Sequence, residues 1–205
     1  PSQQLVCHCT NWRPLFWLNL HVALKSTVYK ANLQIADMDR HHYQDHAVTI
    51  ARHPSETDDR MMVRLLAFAL YADEALSFGK GLSDDEEPDL CAADLTGALD
   101  LWIDLGQPDE KRLRKACSRA RQVVVFSYSG SGADVWWEQI RNKLDRLTNL
   151  AVFKLPAGKA AELGKLAQRS MQLQFTIQEQ QVLLTDGQQS VELDLASARC
   201  YPGNQ

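Results

Sequence analysis

Alternating apolar and polar positions begin the regular part of the chain. Residues 27–35 alternate with period two, as a strand with one buried face does, and residues 46–52 predict a second strand after a polar turn. Pro54-Ser55 then predicts the start of a helix that runs to about Ala75, because apolar residues recur at helical spacing and Ser55 precedes Asp58 by three positions. This assignment puts Glu56 in the first turn of the helix.

The middle of the chain predicts a β-hairpin. One apolar run follows Pro88-Asp89 and another covers residues 98–105, with Thr96-Gly97 between them as the turn. Beyond the hairpin the pattern alternates between the two kinds of element, with helices at 109–121, 133–147 and 157–168 and strands at 122–128, 150–155, 172–178, 181–186 and 190–195. This order of elements indicates an α/β fold.

The length of 205 residues, 45% of them apolar, is enough to bury one sizeable core. Residues 1–21 contain cysteines and tryptophans without clear helical or strand periodicity. We therefore expect residues 1–21 to form an appendage outside the core and residues 22–200 to form a single domain.

Composition narrows the class of protein. A net charge of −4 argues against a protein that coats DNA non-specifically, since phosphate neutralisation needs a basic surplus, but it leaves a site-limited enzyme possible. Five scattered cysteines indicate a reducing compartment, and the apolar run at 15–24 is too short to span a membrane. The sequence therefore predicts a cytoplasmic protein with no membrane association.

Three acidic residues are expected to converge. Asp89 begins one hairpin strand and Asp104 lies near the end of its antiparallel partner, while Glu56 lies at the start of the preceding helix. Carboxylate oxygens are the ligands that Mg²⁺ or Mn²⁺ prefers, and such an ion can polarise a phosphodiester and activate water. The pattern predicts a metal held by Asp89 and Asp104, with Glu56 assisting catalysis on nucleic acid.

Basic residues near these acids are candidates for binding phosphate. Arg60 and Arg64 follow Glu56 at helical spacing and form a stripe with it. The helix after Asp104 is denser in positive charge, with cations at Lys111, Arg112, Arg114, Lys115, Arg119 and Arg121. We take Arg60, Arg64 and Arg112 as the candidate phosphate ligands.

Several motifs resemble the YaeQ family of small bacterial proteins. They are Arg52-His-Pro-Ser-Glu-Thr57 with Arg60-Met-Met62, and Leu101-Trp-Ile-Asp-Leu-Gly106 with Pro108-Asp-Glu110 before a basic helix. The similarity extends from about Val22 almost to the C-terminus. It implies a mixed central sheet flanked by helices, in a variant of the PD-(D/E)XK nuclease fold.

Matched by position, the resemblance makes Glu56 the helix acid, Pro88-Asp89 the Pro-Asp pair and Asp104 the second acid. The lysine that the nuclease pattern carries two residues after this acid is Gly106 here. A substitute could come from Lys111, Arg112 or Lys115 of the following helix, and we take Lys111 and Lys115 as the catalytic candidates. Two interpretations follow: a metal-dependent phosphodiesterase acting on nucleic acid, or a catalytically inactive nuclease fold that binds or regulates, possibly in transcription.

Simpler interpretations compete with these assignments. Glu56 can be a helix-terminal charge paired with Arg60, and Asp89 can be a turn residue after proline. The histidines at 41, 42 and 46 lack a carboxylate at matching spacing, and Cys7-His8-Cys9 lacks a second cluster to complete a zinc site. Residues 127–132, Ser-Tyr-Ser-Gly-Ser-Gly, lack the Lys-Ser/Thr ending of a phosphate-binding loop and are more typical of a strand-to-helix connection.

Overall fold

The computed structural model describes residues 26–79, 87–144 and 146–201, and these form a mixed α/β fold with two β-sheets. The predicted appendage, residues 1–21, lies outside the described residues. Within the described part of the chain, no helix is long and apolar enough to cross a membrane.

The first sheet has five strands in the order β10-β9-β8-β1-β2. Strand β1 pairs in antiparallel fashion with β2 and in parallel with β8, so strands far apart in the chain lie side by side in this sheet. Buried and exposed positions alternate strictly along β8, which leaves one face of this sheet in solvent. The strands are β1 (Thr27–Asp37), β2 (His42–Arg52), β8 (Ser170–Gln178), β9 (Gln181–Thr185) and β10 (Ser190–Asp194).

The second sheet has six strands in the order β11-β7-β6-β5-β4-β3, and β5, β6 and β7 run parallel. Its central strands are buried on both faces, as the unbroken apolar run at 122–128 predicts. The strands are β3 (Leu76–Phe78), β4 (Leu90–Ala93), β5 (Leu99–Leu105), β6 (Ala120–Ser127), β7 (Leu150–Lys154) and β11 (Arg199–Tyr201). The resemblance predicted a single central sheet. The described residues form two sheets instead.

Among the described residues, five α-helices connect the strands: α1 (Asp58–Leu70), α2 (Glu110–Arg119), α3 (Ser131–Ile140), α4 (Lys159–Gly164) and α5 (Leu195–Ala198). The predicted start of α1 at Ser55 is wrong. Thr57 caps the helix by accepting a hydrogen bond from the Arg60 backbone N–H, while the Ser55 hydroxyl contacts His53. Glu56 consequently precedes the helix.

Two apolar clusters hold these elements together. The larger joins the inner face of the first sheet, α1 and one face of the second sheet, with Leu33, Met61 and Ile103 among its buried members. The smaller packs the opposite face of the second sheet against α2 and α3 through residues such as Leu113 and Ile140. The end of β5, between these two layers, is where the acidic residues lie.

Candidate acidic site

Asp89 and Asp104 lie opposite each other at one end of the β4–β5 hairpin. Leu90 pairs with Ile103 in antiparallel register, and the Asp89 backbone N–H donates to the Ile103 carbonyl at 2.9 Å. Continuing that ladder by one residue places Asp89 beside Asp104. Both are buried, with 5% and 1% of their surface exposed.

The Asp89 carboxylate is held on both oxygens. Oδ1 accepts a hydrogen bond from Arg60 Nη2 at 2.6 Å, and Oδ2 accepts one from the Leu105 backbone N–H at 2.8 Å. The hydrogen bond from the Leu105 backbone N–H extends the contacts between the two strands to Asp89, the residue before β4 begins. Attraction to Asp89 raises the pKa of Arg60 although burial acts to lower it.

Glu56 is buried beneath two arginines of α1. Its Oε1 lies 3.0 Å from Arg60 Nη1 and 3.4 Å from Arg64 Nε, whereas Oε2 is buried without a hydrogen-bond partner among the described residues. Burial lowers the pKa of Arg64, against the opposing attraction of Glu56 and Asp89. The Arg64 side chain is 1% exposed, so a phosphate in solvent has no access to it in this arrangement.

Asp104 forms a two-point ion pair with Arg112 of α2. Arg112 Nε donates to Oδ2 and Nη2 donates to Oδ1, each at 2.7 Å, and Nη2 also donates to the Glu87 carbonyl at 2.8 Å. The guanidinium lies 5.9 Å from the centre of the Trp102 ring. Burial raises the pKa of Asp104, and the Arg112 interaction opposes this shift without cancelling it.

The turn from β5 into α2 determines which basic residue contacts Asp104. Gly106 has a φ of +99°, a backbone conformation suited to glycine, and Asp109 caps α2 by accepting from the Arg112 backbone N–H. Arg112 is thereby directed towards Asp104, while Lys111 is exposed and Lys115 is half-buried further along the helix. Gly106 occupies the position of the expected lysine.

The carboxylates in this arrangement do not fit a divalent cation. Both oxygens of Asp89 and of Asp104 already accept hydrogen bonds, and Glu56 Oε1 faces two arginines. Three arginines balance three carboxylates, so the cluster lacks the negative surplus that attracts a cation. Over residues 26–79, 87–144 and 146–201, no group of three or more His, Cys, Asp and Glu side chains has a metal-binding arrangement.

The sequence placed the acids at this end of the hairpin and offered the Glu56–Arg60 pair as a simpler interpretation, but it did not predict the contacts of Arg60 with Asp89 and of Arg112 with Asp104. Arg60 lies four residues after Glu56, a spacing typical of an ion pair as well as of a phosphate stripe. The contact between Asp104 and Arg112 spans a strand, a turn and a helix, so no short-range periodicity predicts it. The Asp109 cap was the available signal, because it fixes where α2 begins.

The other motifs considered from the sequence as possible binding sites are separate from the acidic site. His42 and His46 approach each other on β2, whereas His41 is in the preceding turn with a φ of +55°. The 127–132 segment is the connection from β6 to α3, as expected, and Cys7-His8-Cys9 lies outside the described residues.

Comparison with known proteins identifies the family. The YaeQ protein family model matches residues 22–195. The uncharacterized YaeQ proteins of Salmonella typhi and Escherichia coli (strain K12) are 46% and 44% identical over 176 residues, which is 86% of this chain and 97% of each relative.

Two solved structures have the same fold. The YaeQ protein of Xanthomonas axonopodis pv. citri is 49% identical with a TM-score of 0.82, covering 88% of this chain and 99% of that one. The YaeQ protein of Pseudomonas syringae is 36% identical, also with a TM-score of 0.82, covering 86% and 97%. This chain belongs to the YaeQ family.

Proposed function

We propose that this protein is a variant of the PD-(D/E)XK nuclease fold that binds nucleic acid without hydrolysing it. The order of an acid beside the first helix, a Pro-Asp pair opening a strand, and a second acid at the end of the partner strand supports the nuclease relationship. Glu56, Asp89 and Asp104 have those places here.

The pairing of every site carboxylate with an arginine carries the proposal. A hydrolytic metal would have to displace Arg60 from Asp89 or Arg112 from Asp104. The cation would compensate the carboxylate, but the displaced arginine would lose its partner, and leaving one charge of a buried pair unpaired costs about 3–5 kcal/mol. The ion pairs in this arrangement therefore favour a structural role for the carboxylates over a role as metal ligands.

Gly106 also supports a binding role. The lysine of the nuclease pattern stabilises charge at the reacting phosphorus, a contribution of about 3–4 kcal/mol for a comparable electrostatic group. The +99° φ at this position suits the turn into α2.

The proposed binding surface lies outside the carboxyl ends of β5, β6 and β7. Ligands of parallel sheets commonly bind at this edge. The Arg60 and Arg112 side chains are 11% and 24% exposed, more than the carboxylates beneath them, so a phosphate arriving from solvent meets the arginines first. Exposed Lys111 adds charge, and the net charge of −4 means that any basic footprint is local.

Fluorescence anisotropy with labelled single- and double-stranded DNA and RNA tests binding. We expect affinity to fall at least about tenfold between about 50 mM and 200 mM salt, as two or three phosphate contacts require. Lys111→Ala should weaken binding, whereas Lys30→Ala, on the exposed face of β1, should not. Absence of binding to all four nucleic acids at the lower salt would refute the proposal.

A metal-dependent phosphodiesterase is the second candidate, because Asp89 and Asp104 face each other at one level of the hairpin. Incubating the same nucleic acids with protein and Mg²⁺ or Mn²⁺ separates the two functions. Cleavage that is lost in Asp104→Asn and Asp89→Asn would establish the enzyme. Binding without cleavage by the unmodified protein would support the binding role.

A further inference from the structure

Strand β2 forms a long and regular edge of the first sheet in the described part of the chain. It has 11 residues, whereas the opposite edge, β10, has five, and the two edges of the second sheet, β3 and β11, have three each. Its register with β1 runs without a bulge, and the strand contains neither lysine nor proline. Proteins commonly prevent edge pairing with short strands, lysine, proline or bulges, so this edge is a candidate for pairing with another chain.

The hydrogen bonds of β1 show which backbone groups of β2 point away from the sheet. The Lys30 N–H donates to the Arg169 carbonyl, so even-numbered residues of β1 bond to β8 and odd-numbered residues bond to β2. In the β1–β2 register, odd-numbered residues of β1 face even-numbered residues of β2. The N–H and C=O groups of the odd-numbered residues of β2 therefore point outward. The Ala51 carbonyl agrees with this assignment, because it accepts a hydrogen bond from Arg64 Nη2 of α1.

Four successive outward positions are open to a partner. The backbone groups of Tyr43, Asp45, Ala47 and Thr49 have no hydrogen-bond partner among the described residues. All four residues are exposed, and their side chains lie on the solvent face of the sheet, where Tyr43 is 63% exposed. An extended chain can add to such an edge by pairing with each N–H and C=O group.

The same edge of a second copy matches these groups. With a two-fold axis through His46, antiparallel pairing puts Tyr43 opposite Thr49 of the second copy and Asp45 opposite Ala47 of the second copy. Every outward N–H and C=O group from Tyr43 to Thr49 then has a partner in both copies. On the solvent face, Tyr43 lies beside Thr49 of the second copy, an aromatic and β-branched pair of the kind that stabilises sheets.

The neighbouring two-fold registers fit less well. An axis through Asp45 would put the two Asp45 carboxylates directly opposite each other, and like charges at such positions are destabilising. An axis through Ala47 would put Tyr43 opposite Ala51, whose carbonyl already accepts a hydrogen bond from Arg64. The backbone groups and the charge of this edge therefore favour the axis through His46.

We propose that this protein forms a two-fold homodimer by antiparallel pairing of β2 with β2 of a second copy. The pairing joins the two five-stranded sheets into one continuous sheet. Because the interface consists mainly of backbone hydrogen bonds along one short segment, the dimer is reversible and needs high protein concentration. The interface is on the first sheet and is independent of the proposed nucleic-acid surface, which lies at the end of the second sheet.

Sedimentation velocity of the full chain, from micromolar to millimolar concentration, tests the dimer. We expect a reversible shift from monomer to dimer as the concentration rises. Ala47→Asp should raise the dissociation constant by about tenfold, because the two-fold axis creates two like-charge pairs with Asp45. Ala47→Lys puts opposite charges in the same places and should lower the dissociation constant.

Asn32→Asp is the matched control for Ala47→Asp. Asn32 is exposed and pairs with Ala47 across β1 and β2, so the substitution adds the same charge to the same face one strand inward from the edge. This variant should dimerise like the unmodified protein. Circular dichroism of each variant verifies its fold.

Amide hydrogen exchange followed by NMR tests the register without a variant. In the monomer, the amides of Tyr43, Asp45, Ala47 and Thr49 exchange fast, while β1 protects the even-numbered amides between them. Raising the protein concentration should slow the exchange of the four odd-numbered amides severalfold. A chain that stays monomeric at millimolar concentration would overturn the proposal. A dimer that Ala47→Asp does not weaken, or that protects other amides instead, would also overturn it, because its interface would lie elsewhere.

Discussion

At the level of single residues, the ion pair between Arg112 and Asp104 determines which groups of the acidic site are available to a ligand. Its two parallel hydrogen bonds use both oxygens of a carboxylate that is 2% exposed. Arg112 is therefore part of the site's structure, and any ligand that recruits its guanidinium competes with Asp104 for it.

Replacing Arg112 by leucine should reduce the free energy of unfolding by about 3–5 kcal/mol, because Asp104 is left as an uncompensated buried charge. Arg114→Leu is the matched control. Arg114 pairs with Glu110 at the surface, and such pairs contribute about 1 kcal/mol or less. Urea denaturation measures both.

The double variant Asp104→Leu/Arg112→Leu should recover most of this loss, because replacing a whole buried pair with apolar side chains is often neutral. Equal effects of Arg112→Leu and Arg114→Leu would show instead that the Asp104 pair is no stronger than a surface contact.

The junction of β5 with α2 explains, at the level of elements, why a lysine is absent from the expected position. Gly106 has a φ of +99°, and no atom of the described residues lies within 4 Å of the place where a Cβ would be, so the obstacle to a side chain there is the backbone conformation. The strand must turn here for Asp109 to cap α2 and for Arg112 to reach Asp104.

Gly106→Lys should therefore lower the free energy of unfolding by about 1–3 kcal/mol, the usual cost of a non-glycine residue in such a conformation. Gly106→Ala should cost a similar amount, since the strain does not depend on side-chain size. Gly106→Asn should cost less, because asparagine tolerates positive φ better. An unchanged midpoint for Gly106→Lys in thermal denaturation would contradict this account.

The two sheets of the whole molecule share one core. The larger cluster contains buried residues of β1, α1 and β5, so neither sheet can lose its inner packing without exposing the other. We expect urea unfolding followed by far-ultraviolet circular dichroism to coincide with unfolding followed by tryptophan fluorescence, which senses Trp102 and Trp136 in the smaller cluster. Separate midpoints would show that the sheets unfold independently.

Sequence patterns predicted most of the strands because the burial of a strand face determines where apolar residues occur along the sequence. Period-two alternation at 27–35 and the unbroken apolar run at 122–128 are both present as predicted. These are also two different kinds of strand, one with a solvent face and one without. That difference favoured two sheets, whereas the resemblance to a fold with one central sheet favoured a single sheet.

Short elements and long-range pairs could not be predicted. Strands β3 and β11 have three residues each, too few to establish a period, and they exist because a longer strand lies beside them. In the acidic site, the opposition of Asp89 and Asp104 follows from local hairpin register. The arginine partners depend on the packing of α1 and α2, which a pattern of apolar positions does not specify.

The parallel pairing of β1 with β8 has a consequence for synthesis on the ribosome. Gln34 on β1 meets Gln174 on β8, a partner made 140 residues later. At a synthesis rate of about 5–20 residues per second, Gln174 is added roughly 7–28 s after Gln34. Leu33 and Ile35, buried in the finished protein, stay partly uncovered on a β1–β2 hairpin during that interval. The nascent chain is therefore a candidate for chaperone binding, and slower translation would lengthen its exposure.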